Sequence, residues 1–193
     1  MKKLLLTLIL ALLALSLTAC AGGKNVKIKR GTTEIADYAY ENNDKLETVE
    51  IPDTVTRIGR GAFTNCKNLK SLSLPASVTS IGTLAFYNTG LSELTLPAEA
   101  AGIASAAFAD CKRLTSVTFA AGTPGVSHGI FKDCVSLTQI SLPDSVTYIR
   151  PNAFSGCKAL SAVTLPAALT SLSGFDGCTG LKTAGPTGSG CDL

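Results

Sequence analysis

The sequence predicts a β-rich solenoid, a coil of turns about 23 residues long stacked through a parallel β-sheet. Three observations predict it. An aromatic residue recurs at Tyr40, Phe63, Phe86, Phe108, Phe131, Phe154 and Phe175, in steps of 23, 23, 22, 23, 23 and 21. An apolar-x-apolar pair recurs in phase with it, usually closed by proline. A single turn is also too small to fold. Its roughly six apolar side chains contribute about 1.5–3 kcal/mol each when buried, and ordering each of its backbone units costs ~1–2 kcal/mol. Neighbouring turns must cover it, as in other repeat architectures.

The chain opens with Lys2 and Lys3, followed by an apolar run from Leu4 to Ala19 and then Cys20. The run is shorter than the ~20 residues a membrane-spanning helix needs and reads as a signal peptide over residues 1–19. Leu17-Thr18-Ala19-Cys20 resembles the lipobox of bacterial lipoproteins, in which the signal is cut before the cysteine and its thiol carries a diacylglycerol. Leu17, three residues before the cut, is too large for ordinary signal peptidase. The resemblance implies lipidation at Cys20 and attachment to a membrane through several acyl chains, each buried methylene contributing ~0.8 kcal/mol. Ala21, where Asp would favour retention at the inner membrane, implies the outer membrane or cell surface of a bacterium. Residues 20–25 form the lipidated N-terminus and a short linker. Among the nearby bases, Lys24, Lys27, Lys29 and Arg30 lie within reach of anionic headgroups, or simply belong to a soluble spacer entering the fold.

The solenoid then occupies residues 26–182, in about seven turns. Three residues after the aromatic stands cysteine (Cys66, Cys111, Cys134, Cys157, Cys178), replaced by Asn43 and Thr89 in two copies. A leucine follows, from Leu46 to Leu181, and then the apolar pair: Val26/Ile28, Val49/Ile51, Leu72/Leu74, Leu94/Leu96, Val117/Phe119, Ile140/Leu142 and Val163/Leu165. Alternation with period 2 makes each pair one inward face of a strand. The residues between them, Glu50, Ser73, Thr95, Thr118, Ser141 and Thr164, then line the exposed face. Proline ends the strand by withholding a donor. A second β-prone run follows, such as Val78-Thr-Ser-Ile81. A compact Gly-x-x-Ala-Phe corner then returns the chain under the buried aromatic.

Two places depart from the unit. Pro124 and Gly125 stand where the second strand is expected and should interrupt that column. Two residues are missing between Leu165 and Phe175, so the last turn is degenerate, with a flexible tail over residues 183–193.

The unit as a whole, LxxLxLPxSVTxIGxxAFxxCxx, resembles the BspA-like leucine-rich repeats of bacterial surface proteins over Val26–Leu181. It departs from commoner leucine-rich repeats in carrying proline where they carry asparagine after the strand. The resemblance implies a right-handed leucine-rich-repeat coil with a parallel sheet on one face and extended or short helical pieces on the other. It also implies a protein-binding or adhesion role toward an extracellular, host or neighbouring-cell protein. The alternative is a structural or self-associating envelope spacer without a dedicated ligand.

The composition excludes other classes. The chain is 46% hydrophobic and 16% charged, against about 25% charged in ordinary domains, so it is no disordered polyelectrolyte. Taking Lys2 and Lys3 from the 17 basic residues leaves 15 against 14 acidic ones, too even a balance for a nucleic-acid binder. Of the seven cysteines, five share one column and read as small buried hydrophobes. Cys178 and Cys191 are the pair best placed for a disulfide. The single histidine, His128, lies at a variable surface position beside Ser127, with no orienting acid to complete a triad. No paired cysteines provide a zinc cage, and no phosphate loop occurs. The expectation is a non-enzymatic chain with no cofactor and no metal. The candidate binding face is short of the Trp, Tyr and Arg anchors that dominate tight interfaces, which favours weak or multivalent contact.

Overall fold

The computed structural model describes residues 23–97, 102–171 and 173–185. Its strands follow the repeat: β1 (Asn25–Lys27), β2 (Glu34–Ile35), β3 (Thr48–Glu50), β4 (Arg57–Ile58), β5 (Ser71–Leu72), β6 (Ser80–Ile81) and β7 (Glu93–Leu96). The series continues with β8 (Gly102–Ile103), β9 (Ser116–Phe119), β10 (Gly125–Val126), β11 (Gln139–Ser141), β12 (Tyr148–Ile149), β13 (Ala162–Thr164) and β14 (Thr183–Gly185). Odd-numbered strands stack on one face and the even-numbered strands through β12 on another, and every pairing is parallel. The chain is a parallel β-solenoid of about six turns. Among the described residues it holds no helix, so the far face is made of two-residue strands and turns alone.

The core is the expected file of rings. Tyr40, Phe63, Phe86 and Phe108 stack at successive centroid spacings of 5.1 Å. The steps widen to 5.9 and 5.8 Å on either side of Phe131 and return to 5.1 Å between Phe154 and Phe175. The widening has a local cause. Phe119, standing where other turns place an aliphatic residue, packs edge-to-face with Phe131 at 6.0 Å and 85°. Phe63, Phe86, Phe108, Phe131 and Phe154 are fully buried.

The cysteine column is buried too, and each thiol has an acceptor. Cys66, Cys111, Cys134, Cys157 and Cys178 donate Sγ–H to the carbonyls of Tyr40, Phe86, Phe108, Phe131 and Phe154, at 3.0–3.3 Å. Each bond reaches back to the aromatic residue of the preceding turn. Cysteine thus fills a space fit for a small apolar side chain while tying two turns together. Thr89, its substitute, donates to its own turn's Phe86 carbonyl at 3.1 Å. Burial pushes the Cys66 and Cys157 thiols up to about 12 and raises those of Cys134 and Cys178.

Both strand columns contain a break. The front column is a three-stranded sheet β1-β3-β5 followed by a five-stranded sheet β7-β9-β11-β13-β14. The cause is a one-residue deletion: Phe86 precedes Leu91 by five positions, where every other turn has six. Gly90 fills the shortened loop, and a Cβ there would lie 2.2 Å from the Lys67 carbonyl oxygen. Beside it Leu72 and Leu74 are only half-buried, unlike the apolar pairs that begin at Val26, Val49, Leu94, Val117, Ile140 and Val163. The back column breaks between β8 and β10. The interruption expected at Pro124 and Gly125 is therefore present, but as a lost pairing below the strand: Gly125 itself pairs upward with Tyr148.

At the C-terminal end the front sheet continues further than the sequence suggests. Thr183–Gly185, placed in the tail by the sequence, form β14 and pair residue by residue with Ala162–Thr164. The Leu181 landmark is followed there by no apolar pair, so the pattern carries no strand signal although the backbone completes one.

Candidate functional site

The residues between inward positions form the outer surface of the front sheet. Register aligns them into a file: Thr95 pairs with Thr118, Thr118 with Ser141, and Ser141 with Thr164. Thr95, Thr118 and Ser141 are exposed and Thr164 is half-buried. None of these four hydroxyls has a hydrogen-bond partner among the described residues. The parallel column Thr115, Thr138, Ser161 behaves differently. Its hydroxyls donate to the carbonyls of Ser92, Thr115 and Thr138, at 3.0, 3.4 and 3.2 Å. One column is therefore spent holding turns together, and the other, beyond the intervening Ser116, Gln139 and Ala162, is free for a ligand.

The free column borders two shallow hollows. One, of about 310 Å³, lies over Thr118, Gln139, Ser141, Ala162 and Thr164. The other, of about 550 Å³, continues past the strand ends among Gly122, Ser141, Pro143, Asp144, Ser145 and Thr164. Ser141 and Thr164 line both. The depressions exist because small side chains, Ser141 and Ala162, stand beside longer ones on a flat sheet. Asp144 supplies a carboxylate and Gln139 an amide, while Leu142, Pro143 and Leu165 add apolar surface, so the lining is mixed and sparingly charged.

The remaining sequence-predicted positions lie elsewhere. Glu50 is exposed but engaged, its carboxylate held by Lys27 at 2.8 Å, which keeps it below the usual carboxylate range. Ser73 is exposed just beyond β5, beside the break. The six positions foreseen as one face are therefore two groups, one on each side of the break. Cys20 and Cys191 lie outside the described residues, as do residues 1–19 of the signal peptide. His128 is exposed, and Ser127 donates its hydroxyl to the Ile103 carbonyl at 2.6 Å.

A further column escaped the sequence reading. Two residues after each stacked ring stand Asn42, Asn65, Asn88, Asp110, Asp133, Gly156 and Gly177, and every one has positive φ, from 54 to 75°. Asn, Asp and Gly are the residues that adopt this left-handed conformation most readily. The asparagines also form a ladder: Asn65 Nδ2 donates to Asn42 Oδ1 and Asn88 Nδ2 to Asn65 Oδ1, both at 2.8 Å. The signal lay in the composition of that column.

Six copies of the BspA-type leucine-rich repeat region match the chain over residues 16–115 and 84–185. The chain belongs to the BspA-type leucine-rich repeat family. Its coil is similar to a leucine-rich repeat protein from Bacteroides ovatus, with a TM-score of 0.61 and 28% identity over 84% of this chain and 55% of that one. A leucine-rich cell surface protein from Faecalibacterium prausnitzii gives 0.58 and 26% over 86% and 60%. The pneumococcal vaccine antigen PcpA gives 0.63 and 25% over 75% and 37%. The repeats thus span little more than half the length of the first two relatives. No curated protein matches the chain.

Proposed function

We propose that this BspA-type coil is a cell-surface lipoprotein, anchored through Cys20, that binds a protein partner across the strand face of its later turns. The observation that carries this reading is the register-aligned file of Thr95, Thr118, Ser141 and Thr164, whose hydroxyls make no internal bond while their neighbours' do. Supporting it are the hollows that share Ser141 and Thr164 and the surface description carried by the Faecalibacterium relative. Few aromatic or arginine anchors stand on this face, so binding is weak per module and gains from several copies on one membrane.

The test uses Cys20→Ala protein and a panel of immobilised extracellular-matrix proteins. Binding is expected, and the combined change Thr95→Lys, Thr118→Lys and Ser141→Lys abolishes it without lowering the melting temperature. Concentration-dependent oligomers and no ligand would instead establish the spacer role. Anchoring is read separately: incorporation of a palmitate analogue is expected in the wild type and absent from Cys20→Ala, and equal labelling removes the anchor.

A further inference from the structure

A different edge of the coil carries regularly spaced positive charge. Four residues after each stacked ring, where the chain turns toward the front sheet, Lys67, Gly90, Lys112, Val135 and Lys158 follow one another in successive turns. Lysine occupies every second turn, and an uncharged residue stands between. In the shortened turn Gly90, like Ser136 and Gly180, directly precedes the repeat's leucine, so it covers the lysine column rather than continuing it. A Cβ on Gly90 would lie 2.2 Å from the Lys67 carbonyl oxygen, and one on Gly180 would lie 2.5 Å from that of Lys158. Ser136 Oγ donates to the Lys112 carbonyl at 2.7 Å. In each case the turn above rests on the lysine's carbonyl and leaves its side chain outside.

All three lysines are exposed. Lys67 and Lys158 meet no carboxylate within ion-pair distance among the described residues, while Lys112 has Asp110 at 3.4 Å. Arg113, also exposed, adds a fourth cation. Nearby Asp133 is half-buried, and its carboxylate overlies Gly156. Asp44 takes the equivalent place in the first turn and bounds the positive stretch.

Turns repeat at ~4.8 Å, so the lysines recur at about 10 Å. That is far sparser than the phosphates of a nucleic-acid strand, which repeat at about 3.4 Å. It is comparable to the advance of one disaccharide along an extended sugar chain. We infer that this edge holds a linear anionic polysaccharide, sulfated or carboxylated, with one charged disaccharide for every two turns. The site is separate from the strand face, and the two stand or fall independently.

The purified protein is applied to immobilised heparin, single-stranded DNA and neutral dextran at about 50 mM salt, where screening extends beyond ~10 Å. Retention on heparin alone is expected, with release by added salt. Combining Lys67→Gln, Lys112→Gln and Lys158→Gln weakens the affinity about tenfold or more at an unchanged melting temperature. Combining Lys112→Gln with Val135→Lys keeps the net charge but moves one amine to the next turn, and it weakens binding several-fold. Lys29→Gln, off this edge, leaves binding intact. No retention, equal affinity of the triple variant, or equal affinity after relocation overturns the proposal, and so does tighter binding to the DNA. Should the relocated variant fail to fold, the triple variant decides alone.

Discussion

The front sheet on either side of its break makes an instructive comparison. Before it, charges in or just ahead of β1, β3 and β5 pair across turns: Glu47 lies between Lys24 at 3.1 Å and Lys70 at 3.8 Å, and Glu50 meets Lys27. Behind them Arg57 bridges Glu34 and Asp37. After it, β7, β9, β11 and β13 present Thr95, Thr118, Ser141 and Thr164 without internal partners. Beneath both segments run the same rings, leucines and buried thiols. The inward columns set the coil, and the outward ones are free to differ from turn to turn. An ion-pair ladder satisfies itself, whereas a hydroxyl file leaves its bonding capacity to a partner.

The largest effects fall on what the two segments share. Phe131→Ala is expected to cost ~3–5 kcal/mol, and Phe63→Ala about the same, in denaturant titrations. A markedly smaller cost on one side would mean that the break divides the core as well as the sheet. Alkali should separate the segments. An unfolded thiol ionises near 9, and burial raises Cys66 and Cys157 to about 12. The folded state therefore keeps protons the unfolded state releases. This stabilisation is full below about pH 9 and is lost as the pH climbs toward about 12. Of the four thiols that burial raises, Cys134, Cys157 and Cys178 follow the break and only Cys66 precedes it, so amide exchange should accelerate after the break first, and uniform acceleration would contradict it. Gly90→Ala forces a Cβ onto the Lys67 carbonyl and is expected to cost ~1–3 kcal/mol. Inserting one residue beside Gly90 should restore the step and protect the amides of β7. Glu47→Gln is the smallest change. Lys24 and Lys70 hold that carboxyl below its usual range, an effect present at neutral pH and lost on acidification. In an exposed, screened ladder its removal should leave the melting temperature unchanged at physiological salt.

Much of this fold was legible because the period itself is physical: a ring, a thiol and a leucine at fixed offsets must stack if they are to be buried at all. The column after the rings escaped the sequence analysis, although its composition, only Asn, Asp and Gly, carried the signal. The matching column two residues before the rings did not. Tyr38, Leu84 and Ala106 hold φ of 58, 58 and 56° there, against their own preference. Bonds from the next turn impose it: Tyr38 N–H donates to the Arg60 carbonyl at 2.8 Å and Ala106 N–H to that of His128 at 3.0 Å. The hollows at Ser141 and Thr164 were hidden for another reason. They depend on the relative heights of side chains from three turns, which no single repeat records. The step of 22 announced a lost residue, but only the contact of Gly90 with Lys67 shows which strands it separates.

The two breaks have a mechanical consequence. The front column parts between β5 and β7, where the Ser92 N–H to Lys70 carbonyl bond is stretched to 3.4 Å. The back column parts one turn later, between β8 and β10. At each junction the opposite column is intact, β6 on β8 in the first case and β7 on β9 in the second. The joints are offset as in brickwork. No plane perpendicular to the axis crosses both weak seams, so at either junction a pull along the axis meets a paired ladder on the opposite face.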